Sequence, residues 1–184
     1  MKRCGETGER RQDGVTNIVV AGLGGQGVLK ASDIIAGAAF LAGLDVKKSE
    51  VHGMSQRGGS VASDVRFGAR VFSPMVSQGE ADFLLVLDAG QIEVNRAMLA
   101  PGGLLIEPGV LRGRTLRSSK ALNVALVGAL SRQLDFADEV WTEALRVNLP
   151  PKLVELNLEA FAMGRNSSES PGSAPPARVR DLTP

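Results

Sequence analysis

Residues 16–43 run from TNIVVAG through four closely spaced glycines into GVLKASDIIAGAAFLAG. The first stretch is β-branched, apolar and closed by glycine, the pattern of a short buried strand. In the second, Leu29, Ile34, Ile35, Ala38 and Leu41 fall on roughly one helical stripe, with Gly43 as a stop signal. A strand that hands over to a helix through glycine opens an α/β crossover, and this limits the whole chain to a small set of layered folds.

The rest of the chain keeps to that plan. LDVKKSEV reads as a second strand and VASDVRFG as a third of alternating character. FLLVLDA is a continuous apolar run bounded by Asp82 and Asp88, as expected of a strand buried on both faces. GQIEVNRAMLAPGG predicts a helix ended by Pro and Gly, and GGLLIEP another buried strand. Three helical stretches follow, ALNVALVGALSRQL, DEVWTEALRV and PPKLVELNLEAFAMG, with Pro151 suited to a first helical turn. The predicted fold class is α/β: a mostly parallel Rossmann-like sheet covered by helices on both faces, with C-terminal helices. Residues 1–15 read as a flexible leader, 16–163 as one α/β domain, and the Ser-, Pro- and Gly-rich 164–184 as a disordered tail that cannot offset its ordering entropy.

Composition narrows the chemistry. The chain has 184 residues, one Cys (Cys4) and one His (His52). It can hold neither an internal disulfide nor a thiolate cluster for iron–sulfur or structural zinc, nor a catalytic metal built from several imidazoles. An all-carboxylate site stays possible. Net charge is +1 and aromatics are 4%, so neither nucleic acid nor an anionic membrane surface is indicated as a partner. The charged opening lacks an apolar h-region, and no apolar run approaches the roughly 20 residues of a membrane helix, so a cytoplasmic location is expected.

Two loops carry what chemistry the sequence offers. Gly22, Gly24 and Gly27 have the G-x-G-x-x-G spacing, which permits a tight turn and aims unpaired N–H groups at an anion. A dinucleotide would also want an acid about 20 residues on, where Asp45 and Glu50 are candidates, with Lys47 and Lys48 between them suggesting a phosphorylated ribose. A glycine turn that only packs helix onto strand explains the spacing equally well. The second loop, VHGMSQRGGS, gathers His52, Ser55, Gln56, Arg57, Gly58 and Gly59 just after the second strand, at the carboxyl end of the sheet. His52 is a candidate base and Arg57 a candidate anion or interface contact, against a solvated turn with a packed histidine. No G-x-S-x-G elbow and no P-loop lysine motif is present. Asp82 and Asp88 read as solvated strand ends.

G-L-G-G-Q-G-V followed by V-H-G-M-S-Q-R-G-G-S-V, a V-R-F strand, S-P and A-D-x-L-L resembles the gamma-type domain of the 2-oxoacid:ferredoxin oxidoreductases. Within that family, the histidine before G-M-S-Q-R-G-G and the late stretch PPKLVELNLEAFAMG are most similar to the beta-subunit branch that serves indolepyruvate. The resemblance spans about residues 16 to 164. After FLLVLD the chain reads AGQIEVNR, where the family pattern would carry an acidic, Pro-containing segment.

The resemblance implies oxidative decarboxylation of a 2-oxoacid such as indolepyruvate or another aryl pyruvate with coenzyme A, giving aryl-acetyl-CoA and CO2 with reduction of ferredoxin. It implies a complex using thiamine diphosphate, Mg2+, iron–sulfur clusters and coenzyme A, none bound by this chain alone. A larger catalytic subunit would carry the thiamine diphosphate and the clusters. Gly22, Gly24, Gly25, Gln26, Gly27 and the loop from His52 to Gly59 are the signature positions that carry over, as a cofactor-binding or interface pair of loops. Two other readings stay open on the residues alone: an independent NAD(P)- or flavin-dependent oxidoreductase, and a non-catalytic assembly module.

Overall fold

A computed structural model describes residues 14–53 and 58–167. Among these, five strands form one sheet in the order β2-β3-β1-β4-β5. They are β1 (Thr16–Leu23), β2 (Asp45–His52), β3 (Ser60–Gly68), β4 (Ala81–Val86) and β5 (Leu99–Ile106). β1 pairs in parallel with β4, and β4 with β5, whereas β3 is antiparallel to both β1 and β2. β3 is therefore the one strand that runs against the rest, and the mostly parallel sheet expected from the sequence is present.

The helices are α1 (Val28–Leu41), α2 (Ile92–Asn95), α3 (Leu122–Ser131), α4 (Asp138–Asn148) and α5 (Pro151–Arg165). Strand alternation sends Ile18, Val20, Val65, Phe67, Phe83, Leu85 and Ile106 to one face, where α1, α3, α4 and α5 complete the main core. An aromatic chain runs through it, with successive ring centroids of Phe67, Phe136, Trp141 and Phe161 5.6 Å apart. α3 and α5 meet backbone to backbone. A Cβ on Gly164 would lie 1.7 Å from the Ala125 carbonyl oxygen, and one on Gly128 2.0 Å from that of Phe161. Only glycine allows this approach.

The opposite face is covered more thinly. Val19, Ala81, Leu84 and Val86 pack with Val76, Ile92, Met98, Leu99 and Leu105. Polar struts hold the irregular segment 69–80 over the β2–β3–β1 part of it. The buried Asp64 carboxylate accepts from the Val76 N–H at 2.9 Å, and the Arg66 guanidinium donates to the Ser73 and Met75 carbonyls at 3.0 and 3.1 Å. Arg66 Nε also donates to Asn17 Oδ1 at 2.8 Å, and the Asn17 amide reaches the Glu80 carbonyl at 3.1 Å.

Two features differ from expectation: among the described residues the longer helices all cover one face of the sheet, and one predicted helix is much shorter. The stretch read as a helix from residue 90 is a 3₁₀ turn (Ala89–Gln91), the single α-turn α2, and a second 3₁₀ turn (Arg96–Met98). The chain must pass from the carboxyl end of β4 back to the amino end of β5, where Leu99 pairs with Ala81, and 3₁₀ turns rise further per residue than an α-helix. Pro101 and Gly102 do not end a helix. They sit in a register shift within β5, where Gly102 takes φ 78° and a Cβ on Gly103 would lie 2.7 Å from the Ala81 oxygen.

Candidate functional site: a two-loop crest at the carboxyl end of the sheet

β1 ends at Leu23 and its chain enters α1 through Gly24, Gly25, Gln26 and Gly27. Three of the glycines are required for conformational or steric reasons. Gly25 and Gly27 adopt φ 92° and 85°, a left-handed conformation that side chains disfavour. A Cβ on Gly22 would meet Gln26 Oε1 and the Val28 methyl at 2.9 Å, and one on Gly27 would lie 2.4 Å from Asn123 Nδ2. Gln26 locks the turn: its Oε1 accepts from the Leu23 N–H at 2.8 Å and its Nε2 donates to Asp88 Oδ2 at 3.0 Å. Asp88 also caps the following 3₁₀ turn by accepting from the Gly90 N–H at 2.9 Å. Asn123, at the start of α3, donates to the Gly27 carbonyl at 3.1 Å.

The second loop meets the first. The Gly24 N–H donates to the Gly59 carbonyl at 2.9 Å, and β1 pairs with β3 as far as Leu23 opposite Ser60. A side chain at position 24 would come against the Gly58 backbone at 3.5 Å. Val61 pairs with Gly22 on one side and with His52 on the other, so the signature glycine and the histidine lie in one cross-strand row. The Ser60 hydroxyl donates to Gln91 Oε1 at 2.7 Å, tying the crest to the turn after Asp88. The structure thus brings together Gly22, Gly24, Gly25, Gln26, Gly27, Gly58, Gly59 and the backbone of His52. Ser55, Gln56 and Arg57 lie outside the described residues, as does the His52 side chain.

Asp88, Gln91, Ser60 and Asn123 complete the crest and were not legible as site residues. Asp88 read as a solvated strand end. The signal available was topological: a polar residue at the carboxyl end of the strand beside the glycine turn is where an open α/β sheet keeps its ligands.

The arrangement presents backbone amides. The first N–H groups of α1 lack intrahelical partners, and α1 has no side-chain cap at Gly27. A dinucleotide is poorly served. The acid that would hold its ribose belongs on a strand next to β1, yet β3 separates β2 from β1. Asp45 stands at the far end of the sheet, where its carboxylate accepts from the Val71 N–H at 2.7 Å, and Glu50 is paired to Lys48 at 2.7 Å. Among the described residues no three His, Cys, Asp or Glu side chains gather as a metal site. With one cysteine in the whole sequence, the donor set does not fit an iron–sulfur cluster.

The family model of pyruvate ferredoxin/flavodoxin oxidoreductase matches residues 17–108, the stretch that holds both loops. The indolepyruvate oxidoreductase subunit IorB of Thermococcus kodakarensis is 34% identical over an alignment covering 80% of this chain and 93% of that protein. The IorB subunit of Archaeoglobus fulgidus is 35% identical, covering 84% and 96%. In structure, the gamma subunit of keto/oxoacid ferredoxin oxidoreductase from Geobacter sulfurreducens superposes with a TM-score of 0.67 at 26% identity, covering 81% of this chain and 95% of that one. The chain belongs to the pyruvate ferredoxin/flavodoxin oxidoreductase family, as a subunit of the IorB and gamma type.

Proposed function

We propose that this chain is the small subunit of an indolepyruvate-type 2-oxoacid:ferredoxin oxidoreductase, and that it acts by presenting its two-loop crest to a larger catalytic chain. The bond from the Gly24 N–H to the Gly59 carbonyl carries this reading, because it joins the glycine turn to the Gly58–Gly59 end of the second loop. A crest of exposed glycine backbone suits close approach by another chain or an anionic group. The larger chain supplies the thiamine diphosphate and iron–sulfur chemistry, since a single cysteine in this chain cannot ligate a cluster. The substrate is an aryl pyruvate, coenzyme A takes the acyl group and ferredoxin takes the electrons, in keeping with the IorB relatives named indolepyruvate oxidoreductase subunits. No helix among the described residues is long and apolar enough to cross a membrane. Assembly in the cytoplasm is part of the proposal.

The test is reconstitution with the co-purifying larger chain, measuring indolepyruvate- and coenzyme A-dependent reduction of ferredoxin. We expect no activity from this chain alone and full activity from the pair. Oxidation of a 2-oxoacid by this chain unaided would overturn the proposal, as would a complex active on pyruvate or 2-oxoglutarate but not on indolepyruvate.

A further inference from the structure

β2 is an outer strand of the sheet. Edge strands are commonly blunted by proline, bulges, brevity or charged side chains, and β2 has only the last of these, in Lys47, Lys48 and Glu50. β5, the other edge, has Pro101 and a register shift, but β2 pairs with β3 without interruption over all eight residues and contains no proline.

The phase of that pairing decides which backbone groups point outward. The Gly53 N–H donates to the Ser60 carbonyl at 2.8 Å, so 53 and 60 are a hydrogen-bonded pair, and by alternation so are 51 with 62, 49 with 64 and 47 with 66. Val46, Lys48, Glu50 and His52 therefore direct their N–H and C=O groups away from β3. Those of Val46 and Lys48 have no backbone partner among the described residues.

An antiparallel strand added here must match outward residues with outward residues and keep side chains on their own face. For a second copy related by a two-fold axis, pairing centred on Ser49 meets both conditions. It sets Lys48 opposite Glu50 of the second copy and Glu50 opposite Lys48, with Val46 opposite His52. Shifting the centre to Lys48 or to Glu50 would set like charges face to face. Within one chain Lys48 already bridges Asp33 of α1 and Glu50. The Ser49-centred pairing doubles these into an alternating cluster across the axis. Beside it, the exposed Val51 falls opposite the aliphatic stem of Lys47, on the face away from α1. Phe40, 71% exposed, stands two turns from Asp33 on α1 and adds apolar surface next to the edge.

We propose that two copies of this chain join through β2 in this Ser49-centred register, giving a continuous ten-stranded sheet across a two-fold axis. The interaction is isologous and closes on itself, so it yields a dimer and not a fibre.

The experiment is sedimentation of the full chain over a range of concentrations, with Lys48→Glu, Glu50→Lys and the double exchange, each checked for its native circular dichroism. The wild type is expected to dimerise. Each single variant places like charges opposite one another at two positions and should weaken the dimer by roughly tenfold or more, and the double exchange should restore it. Hydrogen exchange supplies a readout independent of the substitutions. The Val46 and Lys48 amides should be protected at high concentration and lose protection on dilution. A wild type monomeric at every concentration overturns the proposal, as does a dimer indifferent to both single variants. Protection of those amides only in the presence of a larger partner chain overturns it too, and assigns the edge to that chain. Folded single variants that dissociate without rescue by the double exchange overturn the register.

Discussion

The two faces of the sheet are held by different physics. On the helical face the work is done by apolar burial and close backbone packing: the four-ring aromatic chain, and the Gly128–Gly164 contact where a methyl group has no room. On the other face a short segment without regular structure is fastened by Asp64, Arg66 and Asn17, with a smaller apolar cluster beneath. The contrast teaches where the fold can yield. Packing against helices is cooperative and insensitive to pH, whereas a strut made from a buried carboxylate and a guanidinium is local and titratable. The exposed Phe72 and Met75 ride on this strutted segment and owe their positions to it.

The largest expected effects test the helical face. Trp141→Ala should cost about 3–5 kcal/mol in urea unfolding, because it empties the middle of the aromatic chain. Gly164→Ala adds only a methyl, yet about 3 kcal/mol or more is expected, since the Cβ would strike the Ala125 carbonyl and α3 and α5 must part. A near-neutral Gly164→Ala would mean that these helices move apart freely, and the contrast between the faces would fail.

Smaller effects are expected on the strutted face. Arg66→Ala should cost about 1–3 kcal/mol by stranding the Ser73, Met75 and Asn17 oxygens, and should raise proteolysis within residues 69–80 before the rest of the body. Cleavage that tracks global unfolding would show the segment is not a separate unit.

Asp64 sharpens the comparison by pH. Burial pushes its carboxyl above the ordinary 3.8, against the opposing pull of the Val76 N–H, the Ser49 hydroxyl and Arg66. The folded state therefore holds the proton at a pH where the unfolded chain has released it. Stability from this group is highest below the ordinary carboxylate pKa and falls as pH rises from there through the folded pKa. The unfolding free energy of wild type minus that of Asp64→Asn should decline over that window, then level off. A difference that grows with pH would show that the folded state prefers the charged carboxylate.

The smallest effect on stability, though not on assembly, belongs to the crest. Gln26→Leu removes the bonds to Leu23 and Asp88 and should cost about 1–2 kcal/mol, while weakening association with the larger chain. Unchanged assembly and turnover would remove Gln26 from the interface.

Much of this was legible beforehand, for reasons that differ from element to element. β1 and β4 declared themselves by runs of buried aliphatics, and α1 by apolar spacing between glycines, of which Ile34, Ile35 and Ala38 reach the core while Leu41 is exposed. α2 did not, because its length is set by the distance from the end of β4 to the start of β5, and no local periodicity encodes that. Pro101 and Gly102 looked like helix breakers and proved to be the bulge of an edge strand.

By itself the sequence determined most of the succession of strands and helices, the glycine spacing of the β1–α1 turn and the shortage of cysteine and histidine ligands, since these follow from residue type and spacing along the chain. Tertiary structure decided the rest. It ran β3 backwards between β2 and β1, which removes Asp45 and Glu50 from any dinucleotide site, and it joined Gly24 to Gly59 across 35 positions of sequence. It also turned Asp88 from a strand end into the partner of Gln26. Those outcomes depend on which strands lie side by side, and that choice is made by burying both faces of the whole sheet at once.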